Sequence, residues 1–427
     1  MIYTKDYNID NTGLTLVTEK LQKLIDENDE ITINEGTYLV SPLFLHNNTK
    51  LIFDNAILIA TLDENNYKDI YTRVAGIEMN WYPAIINAIN TNNVEIKGNG
   101  IIDGNGNYWY RKYWGIDTKG GMRKEYDQKN IRFLCDYDCK RPRNILIQNS
   151  NNILIDGITS KDSGFWNIHI LYSSNVIINN INISSDNINS PSTDGIDIDS
   201  SHNIEIKNSI FATNDDSIAI KSGRDYDGRR INIPSYDINI HNLKILTGFG
   251  ITLGSELSAG IKNVNINNIE FINTDCAFRI KSSKTRGGYI NNIHINNFKC
   301  INVKYIFNIN LNWNPLYNKL EIPSNLNIKR DYLDSLLKYD NPPLTMVDNI
   351  YIDNIYSRYD SDYLGINRLF HIEGYNDKYI DNIYLSNLDI NSKEYGYIKY
   401  INNLSIINSN INYKIAIDNK NNEYDNR

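Results

Sequence analysis

A seven-residue pattern recurs along this chain: Asn (once Asp), apolar, any residue, apolar, any residue, Asn or Gly, apolar (twice Ser). It stands at NILIDGI (152–158), NVIINNI (175–181), NIEIKNS (203–209), DINIHNL (237–243), NVNINNI (263–269), NIHINNF (292–298), NIYIDNI (349–355), NIYLSNL (382–388) and NLSIINS (403–409). The starts lie mostly 21 to 34 residues apart. One gap, from 292 to 349, is 57, about two units with an insertion between them. Self-similarity at such a period marks a solenoid, because each unit buries its apolar face only by stacking on its neighbours. The apolar positions alternate, which predicts strands with Ile, Val and Leu inward and polar side chains outward. A period of two, carried by β-branched Ile, excludes helical repeats. Asn belongs at the corners, where it tolerates left-handed backbone and bonds its neighbours. The expectation is an all-β fold: a right-handed, single-stranded parallel β-helix with one short strand pair per coil. The hand follows the general preference of parallel crossovers.

The coils are expected over 31–412 of a single domain spanning 1–427, followed by a tail at 413–427. An N-terminal cap occupies 12–30. Within it, GLTLVTEKLQKLIDEN (13–28) predicts one amphipathic helix with Thr12 as N-cap and Leu14, Val17, Leu21, Leu24 and Ile25 on one stripe. Three stretches leave the repeat: 60–83, 105–141 and 310–345, the last with a helix at KRDYLDSLLKYD. Long insertions in a solenoid are often functional. Their Trp81, Trp109 and Trp114 either line a sugar site or anchor a loop.

Net charge is −8, which argues against a nucleic-acid partner but not against a local basic cleft. Four Cys are too sparse for a disulfide framework; Cys135 and Cys139 make at most one isolated pair, and metal ligation there is disfavoured. No run of 18 apolar residues predicts a membrane span. The segment MIYTKDYNIDNTG lacks a basic stretch followed by an apolar core, so the expectation is a cytoplasmic protein, or a secreted one if a leader has been removed. The oligomeric state stays open.

The densest polar residues that packing does not explain lie between 190 and 286: SPSTDGIDIDSSHN, NDDSIAIKSGRD, TGFGITLGSE and CAFRIKSSKTRGG. From Asp194 to Asp216 is 22 positions, from Asp216 to Phe249 is 33, and from Phe249 to Arg279 is 30, so a solenoid brings these clusters to one face. Asp194, Asp215 and Asp216 offer carboxylates for the acid and base of glycoside hydrolysis. Crowded carboxylates raise one another's pKa, which keeps one protonated. Parity places Asp197 and Asp199 outward in GIDIDS, Lys221 outward in SIAIKS, and Arg279 and Lys281 outward in FRIKS. A paired Arg and Lys suits the carboxylate of an anionic sugar.

These motifs resemble the polygalacturonase family, family 28 of the glycoside hydrolases, in its bacterial type. The resemblance is carried by IKGNGIIDGNGNYWY (96–110), KRPRNILIQNSNN (140–152), SGFWNIHILYSSNV (163–176), STDGIDIDSS, NDDSIAIKSG, GFGITLGSE and FRIK, in family order and over about 12–412. It implies a right-handed parallel β-helix that hydrolyses α-1,4-linked galacturonate in pectic oligosaccharides, with inversion and without a metal or other cofactor. By position Asp215 matches the general acid, Asp194 and Asp216 the pair that activates water, and Arg279 and Lys281 the binders of the substrate carboxylate. Asp197, Lys221 and His169 are placed beside them on the substrate side. The insertions and the expected location favour exo-action on short fragments. The family usually has G-H-G where this chain has Gly248-Phe249-Gly250, and none of the six His falls in that motif. The departure implies a lowered or pH-shifted activity, a rhamnogalacturonan-type substrate, or a non-catalytic carbohydrate-binding β-helix. A calcium-dependent pectate lyase shares the fold but not this motif set.

Overall fold

The computed structural model describes residues 2–116, 120–185, 190–315, 317–318 and 320–416. The tail sequence KNNEYDNR lies outside them. The chain divides into two compact units, Met1–Val74 with Glu78–Asp215, and Ala75–Ile77 with Asp216–Arg427.

In both units the repeat builds parallel rungs. In the first, Ile153 pairs with Val176 and Val176 with Ile204, while Ile155 pairs with Ile178 and Ile178 with Ile206. In the second, Ile238, Val264, Ile293, Ile350, Ile383 and Leu404 fall in one register column. All of these except Leu404 are buried, each contributing about 1.5–3 kcal/mol of apolar burial. Coils of the first unit carry three strands, not one pair: Ile145–Gln148, Asn151–Asp156 and Thr159–Lys161 make one, Ile168–Leu171, Ser174–Asn179 and Asn182–Ser185 the next. The repeat marks only the middle strand, because only there do corners flank a strictly alternating run.

The two polar corners of each repeat adopt the left-handed conformation. Asn203 and Asn208 have φ of 54° and 52°, and Asn263 and Asn268 have 54° and 56°. Among residues with a Cβ, Asn tolerates this region best. Their amides then chain along the stack: Asn263 donates to Asp237 (2.9 Å), Asn292 to Asn263 (2.9 Å) and Asn268 to Asn242 (2.8 Å). This explains the abundance of Asn.

Two expectations are corrected. The 57-residue gap is a single coil step, since Tyr289–Ile301 pairs directly with Met346–Arg358; the extra length is the insertion at 310–345. The helix is shorter than 13–28, running Thr18–Glu27 behind a strand at Thr12–Leu16. Gly13 at φ 78° and the pairing of Thr12 with Thr37 hold that segment extended. Thr12 donates its hydroxyl to Asp10 (2.6 Å) instead of capping, and Leu14 is 82% exposed. Val17, Leu21, Leu24 and Ile25 are buried as expected.

The insertion at 105–141 contributes helices Asn107–Trp114, Gly121–Gln128 and Arg132–Asp138, and that at 310–345 a short helix, Leu333–Leu337. Among the described residues, no helix is long and apolar enough to cross a membrane. Cys135 and Cys139 are free, buried thiols.

Candidate active site

In the first unit the strand Ile168–Leu171 lies beneath Ile196–Asp199, with His169 opposite Asp197 and Leu171 opposite Asp199. The isoleucines of both strands point into the core. His169, Asp197 and Asp199 point the other way, as parity predicts for the two aspartates, yet all three have no exposed surface. Two arginines from outside the rungs cover them. Arg73 donates to Asp199 (2.8 Å) and to the Ser200 hydroxyl (2.7 Å). Arg143 donates to His169 Nδ1 (2.6 Å). A guanidinium has no acceptor, so this imidazole accepts at Nδ1 and, when neutral, carries its proton on Nε2. Burial alone would raise the Asp199 pKa, but Arg73 and then His169 outweigh it and hold the carboxyl down at about 2. Burial pulls Arg143 down to about 9 against the opposing pull of Asp197 and Asp199. His169 and Asp197 therefore do not present surface to a sugar here, a correction to their expected placement. They belong to a buried polar layer with Asp199, Arg73 and Arg143.

Asp194 sits one residue before Gly195 and the strand Ile196–Asp199. Its carbonyl is gripped by the main-chain N–H (2.8 Å) and the side-chain amide (3.1 Å) of Asn167. Asp194 is 4% exposed and Asp215 is half-buried. Asp215 follows the strand His202–Thr213, where the Thr213 hydroxyl donates to its carbonyl (2.9 Å). Carboxylate oxygens of Asp194 and Asp215 approach within 4.8 Å.

Asp216, the next residue in the chain, begins the second unit and is 1% exposed. Lys281 donates to its Oδ2 (2.7 Å), and Arg279 (3.0 Å) and Thr252 (2.6 Å) to its Oδ1. The register dictates this arrangement, since Thr252 and Arg279 are partners on adjacent rungs. Burial works against ionisation, but Lys281 and then Arg279 overcome it and hold the Asp216 carboxyl at about 2. Lys281 and Arg279 thus both face the Asp216 carboxylate, and Lys281 also helps to hold Glu256 ionised.

Phe249 lies between Gly248 (φ 83°) and Gly250 (φ 65°). A Cβ on Gly250 would come within 2.4 Å of the Cys276 and Ala277 carbonyls, so glycine is required there. The Phe249 ring centroid is 4.1 Å from the Arg279 guanidinium carbon, and Trp313 stands 4.9 Å from Lys281 Nζ. Lys221 is 4% exposed and lies 3.8 Å from Glu256. Burial opposes ionisation of Glu256, yet Lys221 foremost, with Arg286, Arg224 and Lys281, holds it below the usual range.

Thr252, Glu256, Trp313, Arg73 and Arg143 were not singled out by the motifs. Glu256 closes the motif GFGITLGSE, and outward Lys221 needed a counter-charge, so a signal existed for it. Nothing in the spacing links Arg73 to Asp199. Trp81 and Trp109 are fully buried and anchor loops, with Trp81 donating to the Arg141 carbonyl (3.1 Å); Trp114 is half-buried.

The depressed carboxylates predict acid sensitivity. A carboxyl whose folded pKa is lowered adds stability that is complete above its unfolded value and is lost as pH falls through the folded one. For Asp199 and Asp216 that window runs from 3.8 down to about 2, worth about 2 kcal/mol each. The denaturation midpoint is expected to be flat between pH 7 and 5 and to drop steeply below pH 4; a midpoint unchanged down to pH 2.5 would contradict these pairings.

Comparison with known proteins places this arrangement. The sequence model for glycosyl hydrolases family 28 matches residues 71–330. A probable polygalacturonase of Vitis vinifera is 29% identical over 69% of this chain and 60% of its own length. An exo-poly-alpha-D-galacturonosidase of Dickeya chrysanthemi is 27% identical over 67% of this chain and 53% of its own. The chain thus spans little more than half the length of these relatives. The crystal structure of a hyperthermoactive exopolygalacturonase from Thermotoga maritima superposes with a TM-score of 0.79 at 27% identity, covering 96% of this chain and 91% of that one. The fold is the right-handed parallel β-helix expected from the repeat. With the family model matched across the segment that carries Asp194, Asp215, Asp216, Arg279 and Lys281, the chain belongs to glycosyl hydrolases family 28.

Proposed function

We propose that this chain hydrolyses α-1,4-linked galacturonate in pectic oligosaccharides, from the chain end and with inversion. The observation that carries the reading is the group of Arg279 and Lys281 on ionised Asp216. It sets the two cations that suit a sugar carboxylate beside a carboxylate that they keep ionised. In this reading Asp215 protonates the leaving oxygen and Asp194 and Asp216 activate water. Arg279 and Lys281 bind the sugar carboxylate, and Lys221, paired to Glu256, supports them. Exo-action is favoured by the names of the relatives from Dickeya chrysanthemi and Thermotoga maritima.

Phe249 occupies the place of the family's histidine and gives Arg279 an aromatic face, an interaction of about 0.5–2 kcal/mol. Phe exchanges no proton, so the carboxylates set the pH profile. Phe249→His is expected to add a titration near pH 6–7 to the kcat profile; a profile superimposable on that of wild type would show that position 249 lies outside proton control.

The same residue motivates a second reading, hydrolysis of rhamnogalacturonan-type oligomers. Incubation with tri-galacturonate, polygalacturonate and rhamnogalacturonan oligomers in the presence of a chelator separates the two. Release of monomer from galacturonate chains supports the first. Cleavage confined to rhamnose-containing oligomers supports the second. Binding without any cleavage would leave a carbohydrate-binding β-helix.

A further inference from the structure

The motif KRPRN contributes a residue that the reaction scheme leaves without a role. Arg141 follows the last helix of the 105–141 insertion and has no exposed surface. Its Nη1 donates to the carbonyls of Pro191 (2.7 Å) and Gly164 (3.3 Å), and its Nη2 to the Ser192 hydroxyl (3.2 Å). The guanidinium carbon lies 4.5 Å from the Tyr113 ring centroid and 4.8 Å from that of Phe165. One planar cation therefore reads the main chain and side chain of the two residues that precede Thr193 and Asp194.

That loop needs a fastener. Ser192 is held at φ 56°, a region costly for a residue with a Cβ. Thr193 turns its hydroxyl back to the Ser190 carbonyl (3.0 Å). Downstream, Asn167 grips the Asp194 carbonyl, while its own Oδ1 accepts from Ser160 (2.8 Å) and Ser185 (3.2 Å). Asp194 is thus clamped on its C-terminal side by a rung residue and on its N-terminal side by Arg141. The Arg141 clamp is part of the helical insertion: its stacking partner Tyr113 belongs to the helix Asn107–Trp114 and donates to Asp136 of the helix Arg132–Asp138 (2.8 Å).

We propose that Arg141 is a positioning residue for Asp194, fixing the 190–194 loop and tying the carboxylate's placement to the helical insertion. The proposal rests on the hydrolytic reading for its kinetic consequence and on geometry alone for its structural one. A misplacement of about 1 Å at a reacting group costs on the order of 100-fold in rate. Lys offers a point charge that neither bridges several acceptors in one plane nor stacks between two rings, so it does not substitute.

Arg141→Lys and Arg141→Gln are compared with wild type by steady-state kinetics on the substrate that wild type cleaves, and by hydrogen exchange of the amides of Ser190 and Ser192 to Gly195 read by mass spectrometry. Both variants are expected to lose kcat by about 30- to 100-fold with KM within about twofold, and to exchange those amides at least about tenfold faster. A kcat within about threefold of wild type, or a raised KM with kcat unchanged, overturns the proposal. If neither variant folds, Ser192→Ala removes a single acceptor and is expected to change kcat and exchange in the same directions; unchanged exchange at 190–195 overturns it. If wild type cleaves nothing, the hydrolytic reading fails, and the exchange comparison still decides whether Arg141 holds the loop.

Discussion

Asp215→Asn is expected to lower kcat by about 10³- to 10⁴-fold while leaving the thermal midpoint and KM nearly unchanged. Asp215 is half-buried, and its carbonyl accepts from the Thr213 hydroxyl, a bond that Asn keeps. Asn preserves size and polarity but cannot deliver a proton to a leaving oxygen. General acid catalysis is worth about 10²- to 10⁴-fold, and a poor alkoxide leaving group belongs at the upper end. The measurement is steady-state release of reducing ends with substrate saturating. A loss under about tenfold would move the acid elsewhere, and a large fall in stability would recast Asp215 as structural.

Asp216→Asn is expected to be costly twice over. It should reduce kcat by about 10³-fold, because Asn cannot serve as a base. It should also destabilise the protein by about 3–5 kcal/mol, since two nearly buried cations lose their shared counter-charge. The 2.7 Å and 3.0 Å contacts of Lys281 and Arg279 with this carboxylate are the reason. The two effects separate in a double variant. Asp216→Asn with Lys281→Met removes one of the stranded charges, and should recover stability while activity stays lost. Denaturant midpoints and kcat on both variants check this. Equal stability of Asp216→Asn and wild type would mean that the cations are compensated by other groups.

The two substitutions also show what the sequence made legible. Arg279 and Lys281 were placed on one outward face by strand parity, and the register of Cys276–Lys281 against Ile251–Leu253 agrees. Asp194 and Asp215 were brought together by the repeat length and approach within 4.8 Å. Parity tells which way a side chain leaves the strand and not what lies over it. Asp197, as expected, and His169 leave the core and are still fully buried, because Arg73 and Arg143 come from segments with no period. The same gap explains Trp81 and Trp109, and the early end of the helical reading at Gly13, where one positive-φ glycine and a strand partner override an amphipathic stripe. Periodic parts of the chain could be read; parts held by single long-range contacts could not.

The close approach of Asp194 and Asp215 also sharpens the central claim. Inverting enzymes commonly separate their carboxyl groups by about 6.5–9.5 Å and retaining ones by about 5–5.5 Å, so the distance here does not by itself support inversion. Inversion follows from the proposed roles of Asp194 and Asp216 as water activators, with no covalent intermediate. The measurement that decides is time-resolved proton NMR of the anomeric region as the protein acts on tri-galacturonate with a chelator present. The account predicts that the first galacturonate released carries the β configuration, before mutarotation mixes the anomers. Initial release of the α anomer would contradict it and make one of these carboxylates a nucleophile.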